Sequence, residues 1–415
     1  KITTMRLICT ALACLISVNV FGQTWEQTYP SFMWSGISID QTSDGGFITG
    51  KKNENGDYCL LKINNLGEEE WSLALPISNP SGNPLWWPGG MQIEVTDNGD
   101  FICFLIGENN IFNVSIDGTL ISSTNIPFMP KSMNKTNDGN IIIVGENGII
   151  KINNSLEVLW YQIYSPELSL KSIYPLSNEG FIVYGNMDVG KWSEDIILMK
   201  IDAFGNEVWS QTNGQIAIYD WGGGDKIIQL FNNSFVYISG YDVGKDPNVN
   251  SDIINIDESG QELWIEIDNL NAFNSLASTT DNGFVAVGYQ SSNDPFWDWY
   301  GDLIVSKFDF NGNQEWVQTF GGENTDWGHF VNQTNDGGYI ISGLKEVIHE
   351  AEYEQYIIKL NADGTLSSEF TIPTPSSKRL QKVVDALGRE VNHIPNQILF
   401  NIYDDGSVEK KFVVE

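Results

Sequence analysis

The sequence predicts an all-β chain: a seven-bladed β-propeller of four-stranded antiparallel blades, followed by a small C-terminal β module. Three observations predict it. One phrase recurs seven times, the same two tight turns frame each recurrence, and no stretch carries a convincing helical period. The phrase opens as QTSDGGFITG at 41–50 and closes as QTNDGGYIISG at 333–343. Between them lie TDNGDFICFLIG (96–107), TNDGNIIIVG (136–145), SNEGFIVYG (177–185), NNSFVYISG (232–240) and TDNGFVAVG (280–288). Aligned on Asp or Asn at 44, 97, 138, 178, 232, 281 and 336, the copies step by 53, 41, 40, 54, 49 and 55 residues. Such a period marks an array in which each supersecondary unit is buried by its neighbours.

The unit is clearest at 36–75, GISIDQT-SDGG-FITGK-KNENG-DYCLLKI-NNLG-EEEWSLAL. Its four short segments alternate or are wholly apolar, as strands do. D-G-G between the first two supplies the positive-φ positions of a hairpin. Between the third and fourth stands an Asx-to-Gly turn, NNLG at 64–67, SIDG at 115–118, DAFG at 202–205, DESG at 257–260, DFNG at 309–312 and NADG at 361–364. There the Asx side chain bonds its own backbone and the glycine takes a left-handed conformation. Four residues past the Gly comes a tryptophan: Trp71, Trp209, Trp264 and Trp316, with Trp160 in the same place after NNSL. A large ring at a repeated position is read as packing between modules. The 14 Trp, 15 Tyr, 21 Phe and 40 Gly suit strands and tight turns.

Four strands per unit and seven units close into a ring, because radial packing buries both faces of each sheet. WEQTY at 25–29 resembles the fourth-strand phrase WVQTF at 316–320 and precedes the first full blade. It is therefore expected to complete the seventh blade, in preference to SSEFTI at 367–372, which lacks the Trp.

The D-x-x-G-x-x-x-W phrase resembles the repeat of quinoprotein-type propellers, where a similar turn leads into a docking Trp. Here Asp and Gly stand one residue closer, and those enzymes usually have eight blades. The turn is also similar to the tighter Asp-box of sialidases. The resemblance covers roughly 25–370 and bears on architecture, not activity.

Charge is uneven. The whole chain stands at −32, yet residues 23–371 hold 14 Lys, no Arg and 48 acids, which is −34. Such a body repels phosphate backbones and anionic lipid, so nucleic-acid binding is not expected. Lys1 and Arg6 before the apolar run Leu7 to Val20 read as a leader over 1–22, cut before Gln23. That run is short for a membrane span, and no integral membrane insertion is expected. The protein is therefore expected to be secreted or held at the outer-membrane surface. Cys59 and Cys103 remain beyond the leader, inside apolar strands, and read as buried free thiols.

Long variable connections fall on the side opposite the tight turns, where a rigid scaffold collects binding residues. The loop NDPFWDWYGD at 293–302 sets Phe296, Trp297, Trp299 and Tyr300 among Asp294, Asp298 and Asp302. Rings beside carboxylates suit a sugar, by stacking and by accepting hydroxyl hydrogen bonds. Trp34, Trp221 and Trp327, each before a Gly at matching blade positions, join them as candidate ligand contacts, and Trp86 and Trp87 fall on the same side. No cofactor is predicted. The acidic loops leave room for calcium, although no spacing matches a D-x-[DN]-x-[DN]-G loop. Three histidines, His329, His349 and His393, do not suggest a metal cluster or a triad, and a propeller without Arg lacks the cluster that sialidases use. The first reading is a binding or adhesion module with glycans as the expected ligand. Its rivals are a carbohydrate-active enzyme using a carboxylate pair and a structural surface protein.

PTPSS at 373–377 lies in a linker at 372–377. Residues 378–415 then resemble the C-terminal sorting signal of the type IX secretion system of Bacteroidetes. The resemblance rests on VDALGRE at 384–390 and IYDDGSVEKK at 402–411, with Leu387, Gly388, Arg389, Tyr403, Asp405, Gly406, Lys410 and Lys411 in the matching positions. It implies a pair of small hairpins that the secretion machinery reads as its partner.

Overall fold

The computed structural model describes residues 24–30, 36–53, 55–77, 90–177, 180–190, 193–216, 227–241, 250–268, 271–290, 301–322, 324–348, 352–366, 380–384, 389, 391, 398–403 and 408–412. Residues up to 366 and residues from 367 onward form two separate compact units.

The first unit holds seven sheets of four antiparallel strands. Blade 1 runs Asp40–Gln41, Phe47–Lys52, Tyr58–Ile63 and Glu69–Ala74. Blades 2 to 6 repeat that order and begin at Met91–Val95, Ser132–Lys135, Leu168–Pro175, Ile227–Gln229 and Asn271–Ser278. Blade 7 takes Asp326–Gln333, Tyr339–Ile348 and Glu352–Leu360, and its fourth strand is Trp25–Pro30 from the other end of the chain. Trp25 stands opposite Lys359 and Tyr29 opposite Gln355, so the expected clasp is the observed one. The blades differ in period through their connections, their strand lengths and bulges. Blade 3 turns between Gly145 and Gly148 with two residues, and blade 2 turns between Leu105 and Asn110 with four, so both short repeats keep all four strands.

Period-two alternation assigns each core residue to one of two neighbours. Along Phe101–Leu105 the side chains of Phe101, Cys103 and Leu105 join Ile48 and Leu60 of blade 1. Ile102 and Phe104 join Ile141, Ile143 and Ile150 of blade 3. The other interfaces repeat this, and the last core joins Trp25, Ile340 and Ile357 of blade 7 to Ile39, Phe47 and Leu61 of blade 1. Burial on both faces explains why the middle strands read as unbroken apolar runs. Cys59 and Cys103 are buried free thiols.

The tryptophans dock between blades, as expected, and at five interfaces the glycine of the next blade is what they dock on. Between blades 4 and 5 Gly260 meets Gln211 instead, which donates Nε2 to Gly260 O at 2.8 Å. Gly312 sits at φ +85, and a Cβ there would lie 2.9 Å from the Trp264 ring. Gly67 meets Trp25, Gly118 meets Trp71, Gly205 meets Trp160 and Gly364 meets Trp316 in the same way. One interface inverts the pattern. Between blades 2 and 3 the tryptophan position is Ser122, opposite Asn113, and the glycine position is Leu156 at φ +64, buried in the shared core. The large residue has moved from one blade to the other. The polar contact is kept too: Trp25 Nε1 donates to Asn65 O at 2.9 Å, and Asn113 Nδ2 donates to the equivalent Asn154 O at 2.6 Å.

The D-G-G turn does more than reverse the chain. In blade 1 Thr42 Oγ1 donates to Asp44 Oδ1 at 2.5 Å, and the other oxygen of that carboxylate takes Lys62 at 3.0 Å. Lys62 lies in the third strand opposite Trp71 and also reaches Glu70 at 2.7 Å. Lys307 repeats this with Asp281 and Glu315, Lys359 with Asp336, and Lys151 with Asp138. The second glycine makes room: a Cβ on Gly46, Gly283 or Gly338 would fall 2.5, 2.5 or 2.6 Å from the lysine ammonium. Where Asn140 replaces that glycine, the Lys151 side chain is 12% exposed, against 2% for Lys62 and Lys307. The structure also corrects one alignment. In blade 2 the turn carboxamide is Asn98, which accepts from Thr96 Oγ1, and not Asp97.

The second unit is a three-stranded antiparallel sheet of Leu380–Val384, Ile398–Tyr403 and Val408–Phe412. Tyr403 pairs with Leu380, Lys410 with Phe400 and Lys411 with Leu399, and Arg389 is exposed. Leu387, Gly388, Asp405 and Gly406 lie outside the described residues. Among the described residues no helix is long and apolar enough to cross a membrane.

Candidate functional site

Because strands alternate in direction, the connections between strands 1 and 2 and between strands 3 and 4 share one side of the ring. The other connections share the opposite, or top, side. Of the residues expected to meet a ligand, Asp302 and Trp327 are described. Trp34, Trp221, Asp294, Trp297, Asp298, Trp299 and Tyr300 lie outside the described residues.

Asp302 and Trp327 both stand at the top of the junction between blades 6 and 7, at the starts of the third strand of blade 6 and the first strand of blade 7. Gln290 N donates to Asp302 O at 2.9 Å and closes the neck of the 291–300 connection. Asp326 N donates to Gly301 O at 2.9 Å, which ties that neck to the first strand of blade 7. Trp327 follows, half-buried, nearly parallel to Tyr353 (centroids 6.1 Å apart, 17° between planes) and 6.2 Å from Tyr289. Gly328 lets this strand approach blade 6, since a Cβ there would fall 2.3 Å from Val287 Cγ2.

Beside the rings lie carboxylates that sequence reasoning did not connect. Asp326 is 1% exposed; its Oδ2 accepts from Gly322 N at 2.9 Å. Its Oδ1 has no hydrogen-bond partner among the described residues. A Cβ built on Gly321 would lie 2.4 Å from Asp326 Oδ2 and 2.6 Å from Asp302 Oδ1, so the two acids flank one glycine at φ +156. Burial pushes Asp326 up to about 6; Lys345, its register partner, and the Gly322 amide oppose this, and Asp302 adds to it. Burial also raises Asp302. Glu346 is already engaged, accepting from Thr325 N at 2.9 Å and from Tyr353 Oη at 3.1 Å. The only signal for Asp326 in the sequence was its place before Trp327.

His329 is the extra residue of a bulge in the innermost strand of blade 7 and is buried at its contact with Gly36. Blades 4 and 6 carry bulges at the same place, with Lys171 and Asn274 as the extra residues. Among the described residues no three His, Cys, Asp or Glu side chains gather as a metal group.

Two sets of carboxyls pull the pH profile in opposite directions. Burial raises the turn acids, but the Thr42 hydroxyl, the Gly46 amide and Lys62 outweigh it and hold Asp44 at about 2. Asp138, Asp281 and Asp336 are lowered on the same balance. Groups lowered in the fold stabilise it above the unfolded value near 4 and lose that contribution as pH falls through the folded value. Asp40 and Asp326, raised chiefly by burial to about 6, do the reverse: stability falls as pH rises from about 4 to 6. Urea midpoints measured across pH should therefore peak at about 4–5. A monotonic rise to pH 8 would contradict this assignment.

No family model matches the chain, and no curated protein matches it. Solved structures do. A streptogramin B lyase aligns at TM-score 0.52 and 11% identity, over 81% of this chain and 99% of that one. A virginiamycin B lyase from Staphylococcus aureus gives 0.51 at 12% identity, over 82% and 99%. A catalytically inactive variant of that lyase with quinupristin gives 0.51 at 10%, over 81% and 100%. At these identities the likeness is one of fold.

Proposed function

We propose that the protein is a secreted or surface-displayed binding module whose top side at blades 6 and 7 takes glycans. The observation that carries this is the Tyr289–Trp327–Tyr353 ring cluster beside Asp302. It stands at the neck of the connection bearing Asp294, Trp297, Asp298, Trp299 and Tyr300. Flat rings offer stacking area at low entropic cost, and neighbouring carboxylates accept from hydroxyls. The catalytic reading is less well supported, because Asp326 is 1% exposed and presents little oxygen to a sugar. The lyase likeness brings no activity with it. Export by the type IX system, with residues 378–415 as its signal, belongs to the same proposal and rests on the sorting-signal resemblance.

A glycan array probed with residues 23–371 tests the binding reading. Specific binding should weaken about tenfold or more in Trp327→Ala and in the Trp297→Ala, Trp299→Ala double variant, at about 1.4 kcal/mol per tenfold. Near-wild-type unfolding midpoints would show that both variants are folded. Silence of the folded wild type across the array would reject a glycan ligand.

A further inference from the structure

We propose that Asp302 and Asp326 hold a hard divalent cation of the calcium type between blades 6 and 7. The inference is independent of the glycan reading. It begins with a carboxylate oxygen, Asp326 Oδ1, that has no hydrogen-bond partner among the described residues in a side chain 1% exposed. A buried polar group left without a partner is costly, and a buried charge more so. The second acid makes that worse. The spacing of both acids around Gly321 puts Asp302 Oδ1 within about 5 Å of Asp326 Oδ2, the oxygen that accepts from Gly322 N, and calcium–oxygen distances of about 2.3–2.6 Å allow one ion to reach both carboxylates, with the unpartnered Asp326 Oδ1 completing a bidentate grip.

Positive charge already nearby does not fill the need. Lys345 faces Asp326 in register, but its ammonium lies over the Tyr356 ring, 4.7 Å from the centroid. Glu346 is held by the Thr325 amide and the Tyr353 hydroxyl. The donor set is two carboxylates with no imidazole or thiolate. That chemistry suits an ion which completes its shell with backbone carbonyls and water, as calcium does, better than one that needs nitrogen or sulfur. Gly321 fits the same picture, because any side chain there would strike both carboxylates.

The test is thermal unfolding of the purified full chain at about pH 7.5, in chelator and with calcium up to about 5 mM. Calcium should raise the wild-type midpoint by about 2–5 °C. Asp326→Asn keeps an acceptor for Gly322 N and should match or exceed the chelated wild type, yet show no calcium response. Asp302→Asn should lose the response as well. A wild-type midpoint indifferent to calcium overturns the proposal, as does a response that survives in both variants. A midpoint that rises only on acidification would show that a proton, not a cation, relieves the pair.

Discussion

Replacing Trp25 by alanine should destabilise the propeller by about 3–5 kcal/mol, the range for losing a buried large aromatic. Trp25 is 8% exposed, packs edge-on to Phe47 with centroids 6.0 Å apart, and donates Nε1 to Asn65 O. Its loss also loosens the strand that joins the two ends of the array. Glu26 on that strand accepts from Tyr356 Oη, while Gln355 Nε2 reaches Thr49 Oγ1 of blade 1 at 2.9 Å. Trp209→Ala is the comparison. Its indole N–H makes an exposed contact with Glu258 O at 3.3 Å, so the cost should be about 1–2 kcal/mol. Equal losses in urea unfolding would mean that the clasp is no more important than any other interface.

The inverted interface between blades 2 and 3 supports a double-mutant cycle. Leu156→Gly opens a cavity in a core where Leu156 is buried, and should cost about 2–4 kcal/mol, offset by about 1 from relief of the left-handed backbone. Ser122→Trp places an indole against Leu156 and should cost about 1–3 kcal/mol through overpacking. Together they recreate the arrangement of Trp71 on Gly118, and the pair should be less destabilised than the sum of the singles by about 2 kcal/mol. Additive losses would show that the Trp–Gly reading of the other interfaces does not transfer to this one.

The blades were legible in the sequence because the signals are local. Asp-Gly turns punctuate strands about every ten residues, and an apolar run between two turns has few alternatives. The clasp was legible because WEQTY copies the fourth-strand phrase. The lysine under the turns of blades 1, 6 and 7 was written just as plainly, as the residue before the last of the third strand in YCLLKI, LIVSKF and YIIKL. It was not read, since a lysine in a strand ordinarily signals a solvent face. Only the register shows Lys62 beneath Asp44 and across from Trp71. In blade 2 the alignment took Asp97, whereas the turn needs an acceptor two residues past the threonine, and Asn98 supplies it.

The site was less legible. Aromatics and acids in one loop can be read as composition, and the 293–302 segment was singled out that way. Asp302 and Asp326 are brought together by the packing of two blades around Gly321, and no spacing along the chain encodes that. Trp327 was expected at a ligand and is found half-buried against Tyr353.

The lysines under the turns also bear on digestion, which matters if the protein is exported as proposed. Proteases of trypsin type cut after Lys and Arg, and residues 23–371 offer them 14 Lys and no Arg. Lys62, Lys151, Lys307 and Lys359 are bound to the turn carboxylates and no more than 12% exposed, so these four cleavage points are withdrawn while the ring is folded. The same residues that fasten the turns thus thin out the digest map, and the folded propeller should be a poor substrate wherever such enzymes circulate.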